Sequence, residues 1–247
     1  MKAKLFLFVV LLLLDSVVGK PGSDMILVQG TSEVESFYIS SFELTLGEFH
    51  RFVEATSYKT EVELKGEGRV IKGRFEKVPG VNWRHDIYGE LIDKADYNRF
   101  PVTRVSANDA MAYCKWAGLE IPSIEQWFYA ANEGSFKLKY KYSGSNSINQ
   151  VAWFETNSGE QAQEVGKKKA NALGLHDMTG NVAELVWSLE QGDTIYQYVG
   201  GSFFHGRADA HLKPVLDKEG IRLVKDEYTR RWTSPFLGIR LVKRVEE

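Results

Sequence analysis

The segment Asn171–Glu184 reads N-A-L-G-L-H-D-M-T-G-N-V-A-E. It brings together two glycines, a short apolar series and, among its oxygen-bearing side chains, Asp177, Asn181 and Glu184. Gly174 and Gly180 act as backbone punctuation, because glycine enters turns of positive φ without steric cost. Leu175, Met178 and Val182 give the segment something to bury. Asp177 and Glu184 flank the Gly180 turn, so both carboxylates can fold back toward one point. Calcium is held by such a set, several carboxylate oxygens joined by backbone carbonyls of an irregular loop. The spacing is not that of an EF-hand loop. The same residues also describe an acidic turn that simply faces water.

Upstream, Phe100–Trp127 reads F-P-V-T-R-V-S-A-N-D-A-M-A-Y-C-K-W-A-G-L-E-I-P-S-I-E-Q-W. Ser106 is a good helix N-cap, and Asp109 falls in the first turn, where a carboxylate meets the positive end of the helix dipole. Ala110, Tyr113, Cys114 and Ala117 line one face, with Trp116 beside them, and Gly118 ends the helix. Ser123 caps a second helix with Gln126 three residues on; Trp127 and Ala130 face inward and Gly134 stops it. Nearer the N-terminus, Met25–Gly30 and Phe37–Ile39 read as short strands. Thr45 stands three residues before Glu48, the capping-box spacing. Leu46, Phe49, Phe52 and Val53 then recur at helical spacing. Residues 61–99 mix charges, glycines and aromatics without a clear period, and 140–154 carry turn residues around aromatics.

Taken together, these blocks resemble the formylglycine-generating enzyme, or sulfatase-modifying-factor, family. G-L-H-D-M-T-G-N-V-A-E looks like that family's G-L-x-D-M-x-G-N-V-W-E, with Ala183 for the usual tryptophan and Leu185 for its aromatic neighbour. F-Y-I with E-L-T and Y-K-T-E is similar to the opening block, matching at Glu43, Thr45, Tyr58 and Thr60, residues that on their own merits cap and pack. Pro122, Ser123 and Trp127 keep the L-P-T-E-A-E-W-E motif, while Ile124, Gln126 and Phe128 stand where acids are usual. Val199–Phe203 matches an R-G-G-S-W strand without its arginine, and Gly238–Arg240 matches the closing G-F-R. The resemblance implies an α+β, C-type-lectin-like fold, loop-rich, with small twisted antiparallel sheets and two main helices. It also implies a structural calcium held by the Asp177 and Glu184 side chains and the Gly180 and Val182 carbonyls. A second calcium loop would fall before Asn171, where Asn149, Asn157 and Glu160 offer oxygens in no fixed register.

At the N-terminus, Lys2 and Lys4 precede an apolar run, Leu5–Leu14. A charged start and about ten apolar residues fit a secretory signal, cleaved after Gly19, and fall short of the roughly twenty that a membrane-spanning helix needs. Residues 20–247 then form one domain, destined for a periplasm or the outside of the cell. Hydrophobic content of 43% is ordinary for a globular chain, and the net charge of −2 gives no basic footprint for nucleic acid. A lone cysteine, Cys114, excludes an internal disulfide, which a domain of this size does not require.

In the resembling oxidases, two cysteines between the G-G-S and G-F-R segments hold Cu(I), a metal suited to soft thiolates. That interval here contains none. Cys114 sits on an apolar helix face, as a small hydrophobe would. The resembling iron-dependent sulfoxide synthases draw their histidines mainly from an extra helical domain, for which this chain has no room. Of the five histidines, His205 and His211 lie in the altered stretch 205–231 and are the pair to test for iron or copper; His85 beside Asp86 is a weaker candidate. No nucleophile elbow, P-loop or dinucleotide fingerprint occurs. The expectation is a family member without oxidase activity that binds a peptide, protein or glycan, or serves as a structural part of an envelope complex. The alternative is an oxidase with a non-cysteine metal site at His205 and His211.

Overall fold

The computed structural model describes residues 24–212, 221–222 and 230–246, so the signal expected at residues 1–19 and most of the 213–229 stretch lie outside the described residues. Strand β1 (Met25–Val28) pairs antiparallel with β2 (Phe37–Ser40), and β2 in turn with β9 (Val242–Arg244), so the two ends of the domain close in one sheet. Helix α1 (Leu46–Thr56) starts at the Thr45–Glu48 capping box and buries Leu46, Phe49, Phe52 and Val53, the stripe its periodicity foretells. Helix α3 (Ala107–Ala117) opens on a Ser106–Asp109 box and ends at left-handed Gly118. Helix α4 (Ile124–Ala131) opens on a Ser123–Gln126 box. Gln126 thus performs the capping that an acid would, while Ile124 and Phe128 are buried in the core. The helix ends at Asn132, two residues before Gly134. A single helical turn, α5 (Ile148–Val151), follows further along the chain.

Residues 61–99 hold more order than their composition suggests. Thr60 and Glu63 form a further capping box for α2 (Glu61–Lys65), which left-handed Gly66 ends. The chain then forms an antiparallel hairpin, β3 (Glu67–Ile71) with β4 (Phe75–Pro79). β5 (Ala183–Glu190) and β6 (Asp193–Val199) make a second hairpin, flanked by β7 (Ile221–Arg222) and β8 (Leu237–Gly238) in the order β7-β6-β5-β8. Only the β5–β8 pair is parallel. Val199–Phe203, expected as a strand, instead leaves β6 at Val199 and turns through Gly200 (φ 88°) and Gly201 (φ 71°).

One apolar cluster joins α1 to α3 through Phe49, which meets Trp83 edge-on at 5.2 Å and stacks on Tyr113 at 6.1 Å. A second lies between β2, α4 and β5 around Trp127, Phe37 and Val186. Each large aromatic buried there contributes on the order of 2–3 kcal/mol of transfer free energy. Cys114 belongs to the first cluster, and burial pushes its thiol up to about 12, so it is a core residue and no nucleophile at neutral pH. No helix among the described residues is long and apolar enough to cross a membrane.

Candidate functional site

The 171–184 segment is not a solvated turn. Asp177, Asn181 and Glu184 are all buried. Asp177 (φ 55°), Gly180 (φ 77°) and Asn181 (φ 54°) adopt left-handed backbone, coiling the loop beneath Trp153. The Gly180 N–H donates to Gly200 O at 2.9 Å, and the Asn181 N–H donates to Trp153 O at 2.8 Å. The Asn181 side chain accepts from the Gln163 N–H at 2.9 Å and donates to Glu43 Oε1 at 3.1 Å.

Around this loop gather three buried carboxylates and one buried guanidinium. Arg240 donates to Glu184 through Nε (3.0 and 2.9 Å) and Nη2 (2.7 Å), and to the carbonyls of Ser40 and His176 at 2.7 Å each. Trp127 Nε1–H donates to Glu184 Oε2 at 2.6 Å. Asp177 Oδ2 accepts from the Gly166 N–H at 2.6 Å, whereas Asp177 Oδ1 and Glu43 Oε2 are buried without a partner. Burial is the chief cause that raises Glu43 well above the usual carboxylate range, and Asp177 and Glu184 add to it. Burial likewise lifts Asp177 to about 6, against the Gly166 N–H and Arg240, which favour its anion.

Calcium requires several free oxygens. The Asp177 end of the expected ligand set meets that need through its open Oδ1. The Glu184 end does not, since both its oxygens are committed to Arg240 and Trp127. Among the described residues no group of three His, Cys, Asp or Glu side chains is arranged to hold a metal.

Directly after this loop the chain builds a groove. The Phe203 N–H donates to Asn181 O at 2.7 Å, which sets Phe203, fully buried, as the floor. On one side lies a cavity of about 200 Å³ bounded by Ile87, Phe100, Ala162 and Pro235, with His85, Asp86, Asp93 and Asp96 at its edge. On the other lies a cavity of about 460 Å³ under the β3–β4 hairpin, lined by Ile71, Tyr88, Phe204, Glu155 and Glu160. Arg104, buried and left-handed (φ 58°), holds the wall in place. Its guanidinium donates to Arg69 O (3.0 Å), His85 O (2.6 Å) and Asp86 O (2.6 Å). Burial lowers this guanidinium to about 10, against the opposing pull of Asp86, so it stays charged at neutral pH.

The candidate histidines make separate contacts. His205 Nδ1 lies 2.7 Å from Ser202 Oγ, within hydrogen-bond distance, and Ser202 Oγ also accepts the Phe204 N–H at 3.2 Å. Burial holds His205 below its usual titration range, with Asp209 opposing. His211 Nε2 is 3.1 Å from the Tyr142 hydroxyl. His85 Nδ1 accepts the Asn82 N–H at 3.2 Å, a turn contact within its own loop. The groove aromatics Phe75, Phe204 and Phe236 and the acid Glu155 carry no sequence signal, because tertiary folding alone assembles them from four separate segments.

Comparison with known proteins agrees with this architecture. Residues 18–245 match the sulfatase-modifying factor enzyme 1-like domain. The formylglycine-generating enzyme of Bos taurus is 30% identical over 183 residues, 61% of this chain and 48% of that protein. The inactive C-alpha-formylglycine-generating enzyme 2 of Bos taurus is 28% identical over 189 residues, 64% of this chain and 60% of that protein. The chain thus spans about half the length of the first of these relatives. Among solved structures, CarF superposes with a TM-score of 0.59 at 20% identity, covering 86% of this chain and 88% of that one. PvdO from Pseudomonas aeruginosa gives 0.59 at 20%, covering 85% and 81%. At these identities the structural likeness speaks for the fold alone. Sequence blocks, fold and domain match converge, and the chain belongs to the family of the sulfatase-modifying factor enzyme 1-like domain, whose members include formylglycine-generating enzymes.

Proposed function

We propose that this protein is an exported, non-oxidising member of its family that binds a peptide, protein or glycan ligand in the groove over Phe203. The observation that carries this reading is the thiol inventory. The one cysteine is buried in the α1–α3 core with its thiol held protonated, and the Gly200–Arg240 interval next to the groove contains none. Copper held by paired thiolates has no ligands here. His205 and His211 are turned to Ser202 and Tyr142, which does not favour the alternative metal site. A relative named as inactive supports the same reading. The test is incubation of the purified protein with copper and a cysteine-containing peptide of the sulfatase type, followed by mass spectrometry. The peptide is expected to keep its thiol, and conversion of the cysteine to an aldehyde would overturn the reading.

Structural calcium, expected at Asp177, Gly180, Val182 and Glu184, enters the same proposal through its Asp177 end, since both Glu184 oxygens are committed to Arg240 and Trp127. Its support is the unpartnered, buried Asp177 Oδ1 inside a cluster whose carboxylates outnumber its cations. A cation bound at a hundredfold its dissociation constant stabilises by about 2.7 kcal/mol, roughly 5–10 °C in Tm for a domain of this size. Chelation is therefore expected to lower Tm by about that much, with calcium restoring it and Asp177→Asn abolishing the response. A Tm indifferent to chelator would remove calcium from the account.

A further inference from the structure

Residues 137–141 read K-L-K-Y-K, and all five are exposed, the leucine and the tyrosine by 38% and 36%. The segment is nevertheless held in place. Asn132, buried at the end of α4, donates from Nδ2 to the carbonyls of Ser135 (2.6 Å) and Lys137 (2.9 Å) and accepts the Lys139 N–H at 3.0 Å. The Lys141 carbonyl accepts the Leu212 N–H at 2.9 Å. These bonds fix the backbone and leave Leu138 and Tyr140 displayed to the outside, between lysines.

A second basic run, residues 167–169, lies alongside. Glu133 joins the two runs: its Oε1 accepts the Ala172 N–H at 2.9 Å, and its Oε2 lies 3.7 Å from Lys139 Nζ. Helix α5 bridges them again. Lys168 Nζ donates to the Asn149 carbonyl at 2.9 Å while lying 3.8 Å over the Trp153 ring, and the Lys169 N–H donates to the Gln150 carbonyl at 3.0 Å. The Gln150 side chain accepts from Ser145 Oγ at 3.0 Å, in the turn that follows Lys141. Six lysines thus share one face of a chain whose net charge is −2. Carboxylates do little to balance them. Glu133 is largely buried, Glu164 is held by Lys167 at 3.2 Å and by Arg99, and Glu155 and Glu160 line the cavity under the β3–β4 hairpin. Lys137, Lys141 and Lys169 join no ion pair among the described residues.

The partner of such a face carries many negative charges, and two features narrow its kind. Every cation of the two runs is a lysine. A guanidinium fork selects single phosphates or carboxylates bidentately, whereas an ammonium is a point charge that accepts an anion from any direction. Six of them suit an extended anionic layer rather than one ordered ligand. Leu138 and Tyr140 supply the second feature, because they need an apolar medium at the depth where the ammonium groups meet charge. The headgroup region of a bilayer offers both, with phosphates outside, the acyl boundary just beneath, and a known preference for tyrosine. A polyanion dissolved in water offers charge and no place for Leu138.

We propose that the face formed by residues 137–141 and 167–169 docks on an anionic lipid bilayer, with the lysines against its phosphates and Leu138 and Tyr140 in the headgroup layer. The contact is peripheral, needs no helix of membrane-spanning length, and is independent of what the groove over Phe203 binds.

The test is co-sedimentation of the full mature chain with vesicles of phosphatidylcholine alone or in equimolar mixture with phosphatidylglycerol, at low and at physiological salt. Binding to the anionic vesicles is expected to be at least about tenfold tighter than to the neutral ones, and weaker as salt rises. The triple variant Lys137→Gln, Lys141→Gln, Lys169→Gln is expected to bind at least about thirtyfold less tightly, from roughly fivefold per lysine near a charged surface. The double variant Leu138→Ser, Tyr140→Ser keeps every charge and is expected to lose about three- to tenfold on vesicles. On immobilised sulfated dextran, a polyanion without an apolar layer, only the lysine variant should differ from the parent. All five side chains are exposed, so Tm is expected to stay unchanged, and binding is read where parent and variants are folded. Equal binding to neutral vesicles, no binding to anionic ones, parental affinity in either variant, or retention on sulfated dextran without retention on vesicles would each overturn the proposal.

Discussion

Arg240→Met is expected to destabilise the domain by about 3–5 kcal/mol, the range for removing one partner of a buried ion pair. Arg240 and Glu184 are both essentially inaccessible, and the guanidinium also donates to the Ser40 and His176 carbonyls. Its loss strips the one fully buried cation, among the described residues, from a site that also contains Glu43 and Asp177, each with one unpartnered oxygen. It also unties three parts of the fold at once, the end of β2, the 171–184 loop and the segment after β8. Replacing both partners, Arg240→Met with Glu184→Met, is expected to recover part of the loss, since a buried pair exchanged for apolar groups is often near neutral. Recovery stays incomplete because Trp127 Nε1 then lacks its acceptor and Glu43 and Asp177 lack their cation. Urea unfolding of the parent, the two single variants and the double variant closes the cycle. An Arg240→Met loss below about 1 kcal/mol would show that the pair is not what holds these segments together.

The sequence discloses this cluster unevenly. Helices α1, α3 and α4 are legible because each announces itself twice, by a cap with its partner three residues on and by an apolar stripe at helical spacing. Asp177 and Glu184 are legible as a carboxylate pair flanking a glycine turn, and they do converge on one buried site. What the pattern does not disclose is the partner. Arg240 lies 56 residues beyond Glu184, and no local period links them. The β5–β6 hairpin was hidden for a related reason. Ala183–Val186 are buried on successive positions, so the strand shows no alternation for a period of two to reveal. The β3–β4 hairpin is hidden by the opposite cause: β4 is largely exposed and carries charges among its apolar residues. The groove aromatics follow from these two hairpins, so they become visible only once the hairpins are placed.

Gly180→Ala should cost about 2–4 kcal/mol, more than the same change at Gly66, although both glycines have nearly equal φ, 77° and 73°. Left-handed backbone penalises any Cβ by about 1–2 kcal/mol, and that part is common to both positions. At Gly66, the exposed cap of α2, a Cβ meets nothing within 4 Å, so the conformational part is all there is. At Gly180 the new Cβ would sit 2.2 Å from the Trp153 carbonyl oxygen, a backbone atom that cannot swing aside as a side chain would. Relieving that overlap moves either Trp153 or the loop, and the Asn181 N–H bond to the same carbonyl, 2.8 Å long, is lost with it. A buried hydrogen bond broken in this way adds roughly 1–2 kcal/mol. The displacement should also reach the groove, because Asn181 O accepts the Phe203 N–H that sets its floor. Denaturant unfolding of the two alanine variants measures the difference, with tryptophan fluorescence reporting on Trp153. Equal losses at Gly66 and Gly180 would show that the loop yields to the methyl group without resistance, and that the 171–184 segment is softer than its burial implies.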